Sequence, residues 1–571
     1  MSTANPLRMA QYRYSAANPA SSALSPETVE LIIKSMKNSS SCGLDNINTY
    51  IIKLGINQLV PAITHIINLS IRDKKFPTSW KIAKIIPLHK KDEKILAKNY
   101  RPVSLLPVLS KILEKAIFLQ LFNYMEENGL IHPSHHAYRP NHNTTTALIE
   151  MVDHWVEAFD NKEITAAVMY DQSAAFDVCD HVILLDKLEI YGLQPSALAW
   201  FTSYLEDRKQ TVYIEGACSQ IKTLDKAGVP QGGNLSPLLY NIFCSDLPEV
   251  VHDNHDDTDD NNDDNEENDN NEKYNMNFTC KVCGKIVCYA DDCTYCVSDK
   301  DPRILENKID EAFQKISHYM NSNKLFLNSD KTHLLVLTSS RAHANRGNYG
   351  IKLNTGTEII EPSTEERMLG ANLKNDLLWN NHLRDHKKSV ISTLKTKNNA
   401  LQIISHYSSF YVRKMVANGV IISHILYHIQ LYGGCTQELL SALQVQQNRA
   451  ARTVCKSPWG TSTKKLLDQI GWLSVRQMVA YYSVLTLHKT LKTGLPKYLH
   501  HHITQPFKFD TRGARKGCIK NRHFTSGIAQ SSFISRSIDL WNRIPAELRT
   551  DQCSKSFSCK LREFVMLNIP L

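Results

Sequence analysis

What this 571-residue sequence lacks narrows it first. No stretch approaches the ~18–20 continuous apolar residues of a membrane-spanning helix, which sets aside a helical membrane protein. Met1 to Ser25 is rich in Ala, Ser, Asn and Pro and holds no apolar run long enough for a signal peptide. Without a secretory leader, the 14 cysteines are expected in a reducing compartment, as thiols or metal ligands and not as disulfides. No internal repeat appears, which removes repeat-built architectures. These absences imply an intracellular soluble protein with no membrane partner; nucleus and cytoplasm both remain open.

What is present is size, positive charge and one acidic block. The chain is too long for one compact core, and 42% hydrophobic content suffices for several packed lobes. The formal charge is +9, but Asp253 to Glu272 carries 11 acids, so the remainder stands near +20 (9 plus 11). Such a field suits a nucleic-acid backbone. The acidic block, mostly Asp and Asn without apolar residues, cannot bury a core and reads as a disordered insertion over 252–273.

Tyr289-Ala290-Asp291-Asp292 places two adjacent carboxylates between Val287-Cys288 and Thr294-Tyr295-Val297, residue types that favour strands. Alone, such a pair reads more often as solvated turn residues. About 120 residues upstream, the apolar run Ala166 to Tyr170 ends in Asp171 and continues to Phe176-Asp177. Three carboxylates from two strands would hold two Mg²⁺ ions, the arrangement of two-metal phosphoryl transfer. Between them Ala227-Gly228-Val229-Pro230-Gln231-Gly232-Gly233-Asn234 forms a glycine-dense turn into an apolar stretch that Ser236-Pro237 opens as a helix. A plain loop is the other reading of that turn.

Carboxylate strand, Gly-Gln loop and Tyr-Ala-Asp-Asp hairpin follow the order of palm motifs in reverse transcriptases. The sequence strongly resembles those of non-LTR (LINE-type, Jockey-like) retrotransposons. Ser39 to Asp45 resembles the element that opens this family's fingers. Phe76 to Lys91 and Asn99 to Leu106 resemble its finger strands and an arginine-bearing turn. Ala137-Tyr138-Arg139-Pro140 with Asn143 to Leu148 resembles its template-side motif. Leu325 to Thr332, and Met368-Leu369-Gly370-Ala371 followed by Trp379 and His382, resemble its last palm motifs. The resemblance runs from about residue 25 to the end.

It implies an α+β right-hand polymerase of fingers, palm and thumb, with an antiparallel palm sheet and a mainly helical C-terminal region. The implied activity is RNA-directed DNA synthesis from dNTPs on an RNA template, with a DNA primer or target DNA as the other partner. Asp171, Asp291 and Asp292 are implied as ligands of two Mg²⁺ ions, for which Mn²⁺ could substitute. Phe176 is implied as a gate against a 2′-hydroxyl, Lys90, Lys91 and Arg101 as triphosphate contacts, and Gln231 and Gly232 as neighbours of the nucleotide. Lys331 is implied as a proton donor to the leaving pyrophosphate. An Arg fork and Lys point charges suit phosphate oxygens, although solvated surface charge is the alternative for these basic residues.

Gly233, Ala174 and Ala137 depart from the family pattern without removing a metal ligand. A catalytically weakened or inactive nucleic-acid-binding relic therefore stays open as the second reading. Full-length relatives usually carry an N-terminal endonuclease, which this chain is expected to lack, and no retroviral-style RNase H ligand set is recognised. The expected division is a disordered N-terminus over 1–25 and a helical extension over 26–70. Fingers and palm follow over 71–374, a helical thumb over 375–460 and a basic C-terminal region over 461–571. In the thumb, Val390-Ile391-Leu394 and Leu439-Leu440-Leu443 each share a helix face, and Arg449 and Arg452 lie three apart, as phosphate contacts or as a solvated face. Arg512, Arg515, Lys516, Lys520 and Arg522 form a basic cluster suited to RNA or target DNA. His252 and His255 with Cys280 and Cys283 could close a structural zinc site across the acidic block. Cys293 and Cys296 read as core or surface thiols.

Overall fold

The computed structural model describes residues 22–90, 93–172, 175–224, 226–251, 284–339, 349–505, 517–551 and 553–570. The chain divides into two compact units, the first drawn from segments 1–138, 171–260 and 314–330, the second from 139–170, 261–313 and 331–571. Residues 1–21 of the N-terminus expected to be disordered over 1–25, the whole acidic insertion expected over 252–273, and His252, His255, Cys280 and Cys283 of the zinc reading lie outside the described residues.

In the first unit, strand Ile82–His89 pairs antiparallel with Tyr100–Leu105 and parallel with Lys209–Ile214. Pro87 and Pro102 face each other in that first pairing, Leu88 faces Arg101, and Arg101 therefore lies on a strand. This corrects the expected arginine-bearing turn: the actual turn is the short Ala97–Asn99 helix just before it. Helix Ile56–Asp73 buries Val60, Ile63, Ile67 and Ile71, a one-sided stripe at helical spacing. Helix Val108–Glu127 buries Ile112, Leu113, Ala116, Ile117 and Leu121, and on the same inward face Ser110 and Glu114. A fully buried aliphatic side chain of this kind contributes about 1.5–3 kcal/mol, so burying a carboxyl among them requires local compensation.

In the second unit a five-stranded sheet runs in the order Pro362–Ser363, His333–Leu337, Ile164–Asp171, Asp292–Asp299, Lys285–Tyr289. Ile164–Asp171 is central and buried from Ile164 to Tyr170, as a strand covered on both faces must be. Helix Thr144–Asp160 starts from a reciprocal cap, in which the Asn143 side chain accepts from the Thr146 amide and Thr146 Oγ1 accepts from the Asn143 amide. Its buried face, Ala147 to Phe159, shares one hydrophobic core with Val287, Leu335 and Leu337 of the sheet. Ala480, Leu487, Trp541 and Phe557 of the C-terminal segment belong to that same core. Polar ties fasten the two segments together. Asp160 accepts from the amides of Thr525 and Ser526, at 2.9 and 2.7 Å, and Tyr498 Oη donates to the Thr146 carbonyl at 2.8 Å.

The helical pattern expected beyond residue 375 is present. Helix Val390–Ser405 buries Val390, Ile391, Leu394 and Leu401, and Gln437–Cys455 buries Leu439, Leu440 and Leu443, within a second core. Arg449 donates to Asn399 Oδ1 at 2.6 Å, whereas the Arg452 guanidinium lies over the Trp459 ring at 4.7 Å.

Candidate active site

Tyr289 faces Asp292 across the ladder of the Lys285–Tyr289 and Asp292–Asp299 hairpin, so Ala290 and Asp291 alone make the turn. Ala290 has φ +58°, a left-handed conformation that costs a residue with a Cβ roughly 1–2 kcal/mol. Two-residue hairpin turns favour positive φ because it matches the strand twist. The strain sits at the tip that presents Asp291 half-exposed and Asp292 exposed, while Cys293 to Val297 are buried.

The neighbouring strand Ile164–Asp171 stays buried up to the half-exposed Asp171. Thr165 Oγ1 and Ser298 Oγ lie 2.8 Å apart and tie the two strands together at their other ends. The Asp171 carbonyl accepts from the Asn328 amide at 3.2 Å, and Gln172 bridges to Leu327, so the Leu325 to Asn328 motif runs beside it. Among the described residues, no group of three or more His, Cys, Asp or Glu is arranged to hold a metal ion. The donors at the hairpin tip are nonetheless carboxylate oxygens alone. Cys293 is buried with its Sγ 3.2 Å from Cys288 Sγ. The Cys288 thiol, burial, and the nearby charges of Asp292 and Asp291 all push its pKa well up. Cys293 is buried beneath the turn, so the groups presented at the tip are the carboxylates of Asp291 and Asp292, oxygen donors of the kind a hard cation takes. Cys293 and Cys296 are both core thiols.

The Gly-Gln loop is stitched to its surroundings by backbone groups. The Ser104 amide donates to the Gln231 carbonyl at 2.9 Å, and Gln231 Nε2 donates to Asp177 Oδ2 at 2.9 Å. Gly232, at φ +131°, approaches so closely that a Cβ there would stand 2.6 Å from the Ser104 carbonyl oxygen. Beneath the loop, Glu114 Oε2 accepts from the Asn234 amide at 2.7 Å and the Leu235 amide at 3.4 Å, while Oε1 accepts from Ser110 Oγ at 2.9 Å. Burial raises the Glu114 pKa, opposed by the Arg208 charge and by these donors. A Cβ on Gly233 would lie 2.7 Å from Glu114 Oε2 and 2.9 Å from Ser236 Oγ. The departure at Gly233 thus matches the space the buried carboxyl leaves. At Ala137, another departure, the carbonyl accepts from Asn241 Nδ2 at 2.8 Å; Ala174 lies outside the described residues.

The Phe176 ring stacks on Tyr240 at 4.9 Å and meets Tyr138 edge-on at 6.3 Å, while Tyr240 Oη donates to Gln172 Oε1. Phe176, Gln231 and Gly232 are therefore gathered in one unit, with Arg101 exposed on the strand that also carries Ser104. Lys90 is exposed and its amide donates to the Asn99 carbonyl at 2.8 Å; Lys91 lies outside the described residues. Lys331 is exposed, two residues ahead of the His333–Leu337 strand that pairs with Ile164–Asp171. Of the C-terminal basic cluster, Lys520 and Arg522 are described; Arg522 Nη1 contacts Glu157 Oε2 at 3.1 Å, a structural tie. Sequence reasoning missed Glu114, whose signal was a carboxyl on an otherwise apolar helix face.

The family described as "Reverse transcriptase (RNA-dependent DNA polymerase)" matches residues 88–373, half of the chain. The chain belongs to the reverse transcriptase family. It is 27% identical over 479 residues to the "Probable RNA-directed DNA polymerase from transposon BS" of Drosophila melanogaster, covering 81% of this chain and 48% of that protein. It is 25% identical to the "RNA-directed DNA polymerase from mobile element jockey" of the same species, over 78% of this chain and 45% of the relative. Identity reaches 33% with the "Probable RNA-directed DNA polymerase from transposon X-element", over 39% of this chain and 24% of the relative. This reverse transcriptase chain thus spans about half the length of the first two relatives. A truncated apo telomerase from Candida Tropicalis superposes with a TM-score of 0.33 at 14% identity, over 54% of this chain and 57% of the other, too loosely to carry an argument. No helix among the described residues is long and apolar enough to cross a membrane.

Proposed function

We propose that this chain is the RNA-directed DNA polymerase of a retrotransposon, adding deoxynucleotides to a primer 3′-hydroxyl with RNA as template. The observation that carries the reading is the family match together with a sheet whose neighbouring strands end at Asp171 and begin at Asp292, with Asp291 in the strained turn between hairpin strands. In this reading Asp171, Asp291 and Asp292 hold divalent cations, with Mg²⁺ suited to the all-oxygen donor set and Mn²⁺ an alternative. When bound, such ions activate the attacking hydroxyl and stabilise charge on the phosphate.

The chain's own residues do the remaining work. Phe176, wedged between Tyr240 and Tyr138, forms a rigid wall where the sugar would lie. The Gly-Gln loop, held by Glu114 from below and Ser104 from the side, brings bare backbone to the nucleotide. Arg101 with Lys90 or Lys91 offers cations to the triphosphate, and Lys331 hands a proton to pyrophosphate. Residues 71–374 serve as fingers and palm, 375–460 as thumb, and the basic residues of 461–571 take RNA or target DNA.

The test is primer extension on a primed RNA template with dNTPs and Mg²⁺, comparing the parent chain with Asp291→Ala and Asp171→Ala. Extension by the parent that vanishes in both variants is the expected result. A folded parent that binds the hybrid and extends nothing refutes the polymerase reading and leaves the binding relic.

A further inference from the structure

Six of the seven tryptophans are buried or half-buried, whereas Trp459 is 83% exposed. A single apolar side chain in water is ordinary, so exposure alone assigns it nothing. Its surroundings give it a chemistry.

Trp459 lies between helix Gln437–Cys455 and helix Thr463–Ile470, in a connection held at both ends. Lys456 closes the first helix in a left-handed conformation, φ +51°, and Ser462 opens the second, its Oγ accepting from the Lys465 amide at 3.3 Å. Thr461 donates to the Pro458 carbonyl through its amide at 3.3 Å and its hydroxyl at 2.9 Å, and Asn448 Nδ2 donates to Thr463 Oγ1 at 2.9 Å. The indole therefore projects from an ordered turn. Arg452 braces it from one side, its guanidinium 4.7 Å from the ring centre, and Arg452 Nε is buried without a hydrogen-bond partner, so the ring is the neighbour this group meets. With one face on the guanidinium and so much of the residue exposed, the other face is open to solvent.

The charge around this ring has one sign. From Leu439 to Leu467 the chain carries Arg449, Arg452, Lys456, Lys464 and Lys465 and no Asp or Glu. Arg449, Arg452 and Lys456 follow the helical repeat of one face, and Lys456, Lys464 and Lys465 are exposed. A bare aromatic face among uncompensated cations fits a polyanion with free flat rings, which is a single-stranded nucleic acid. A duplex keeps its bases stacked on one another and would use the cations alone.

We infer that Trp459 is a stacking platform for an unpaired base of an RNA strand, with Arg452 bracing the ring and Lys456, Lys464 and Lys465 supplying cations for the flanking phosphates. The choice of RNA rests on the polymerase reading, in which the primer is paired and the template is the strand that has to be held unpaired.

The experiment uses the full chain, in which Trp459 emission is isolated as the difference between the parent and Trp459→Phe. Both are titrated with a short single-stranded oligouridylate, its deoxy counterpart, an abasic strand of equal length and an RNA duplex. The oligouridylate should quench the difference emission, and the duplex should not. By fluorescence anisotropy, Trp459→Ala should bind the oligouridylate on the order of tenfold more weakly, Trp459→Phe should lose far less, and affinity for the abasic strand and the duplex should stay at the parental value. Unquenched Trp459 emission at saturating oligouridylate, or an equal loss of affinity for every strand, overturns the platform. Quenching by the deoxy strand alone overturns the choice of RNA. Emission that follows protein concentration and not RNA gives this face to a second copy of the chain and refutes the proposal. A parent that extends no primer sinks the polymerase reading, while the titrations still decide the platform.

Discussion

Gly232→Ala tests the loop geometry most sharply, because the added methyl has nowhere to go. Its carbon would stand 2.6 Å from the Ser104 carbonyl oxygen, backbone against backbone, with no flexible side chain able to swing aside. A φ of +131° adds a penalty of about 1–3 kcal/mol for a residue with a Cβ. Moving the loop away breaks the Ser104 amide bond to the Gln231 carbonyl, at about another 1 kcal/mol. A loop displaced by part of an ångström beside the nucleotide should lower kcat/KM for dNTP by on the order of 10²-fold. The matched control is Gly129→Ala, at φ +67° with nothing within 4 Å of the added carbon. It carries the conformational penalty alone, so its melting temperature falls slightly and its kinetics stay at the parent level. Steady-state primer extension and thermal unfolding on the two variants decide the matter. A folded Gly232→Ala enzyme with parental kcat/KM would show that the close approach does not shape the nucleotide site.

Three further outcomes are expected. Burial, the first cause in each case, lowers the pKa of His154 and His428 to about 4 and of His382 and His502 to about 3. Their folded pKa values lie below the unfolded ~6.5, so the stability they confer is intact above that pH and drains away as pH falls towards 4, at up to about 1.4 kcal/mol per pH unit for each; a melting temperature unchanged between pH 7 and pH 5 contradicts this. Burial raises the pKa of Asp153 well above normal and leaves its Oδ2 without a hydrogen-bond partner, so its contribution is lost as pH rises through the folded pKa; Asp153→Asn should melt higher than the parent at pH 8, with the gap closing near pH 4. Phe176→Ala removes the ring stacked on Tyr240 and should raise ribonucleotide incorporation relative to deoxynucleotide, measured as a ratio of kcat/KM values; an unchanged ratio refutes its role as a gate.

The Asp291-Asp292 hairpin and its neighbouring strand were legible because their information is local: apolar runs of strand length, a break of two residues, and carboxylates at the break. The same holds for the Gly-Gln loop and for the helix faces at Val390-Ile391-Leu394 and Leu439-Leu440-Leu443. Glu114 was not legible, because the amides that make its burial tolerable come from Asn234 and Leu235, some 120 positions later. Neither was the contact between His428 and Thr145, which spans 283 positions and turns on a tautomer. Arg101 was placed on a turn by resemblance alone, whereas it lies on a strand in which Pro102 pairs with Pro87 in mid-ladder. The C-terminal segment showed which residues were apolar but not that their partner was helix Thr144–Asp160.

That shared core has a consequence for how the protein is made. Trp155, Val156 and Phe159 are translated some 400 positions before Trp541 and Phe557, which help to cover the same core. At roughly 5–20 residues per second, some 400 residues of further synthesis occupy about 20–80 s. For that interval the apolar face of Trp155, Val156 and Phe159 lacks the residues that cover it in the folded chain, and transiently exposed apolar surface of this kind favours aggregation.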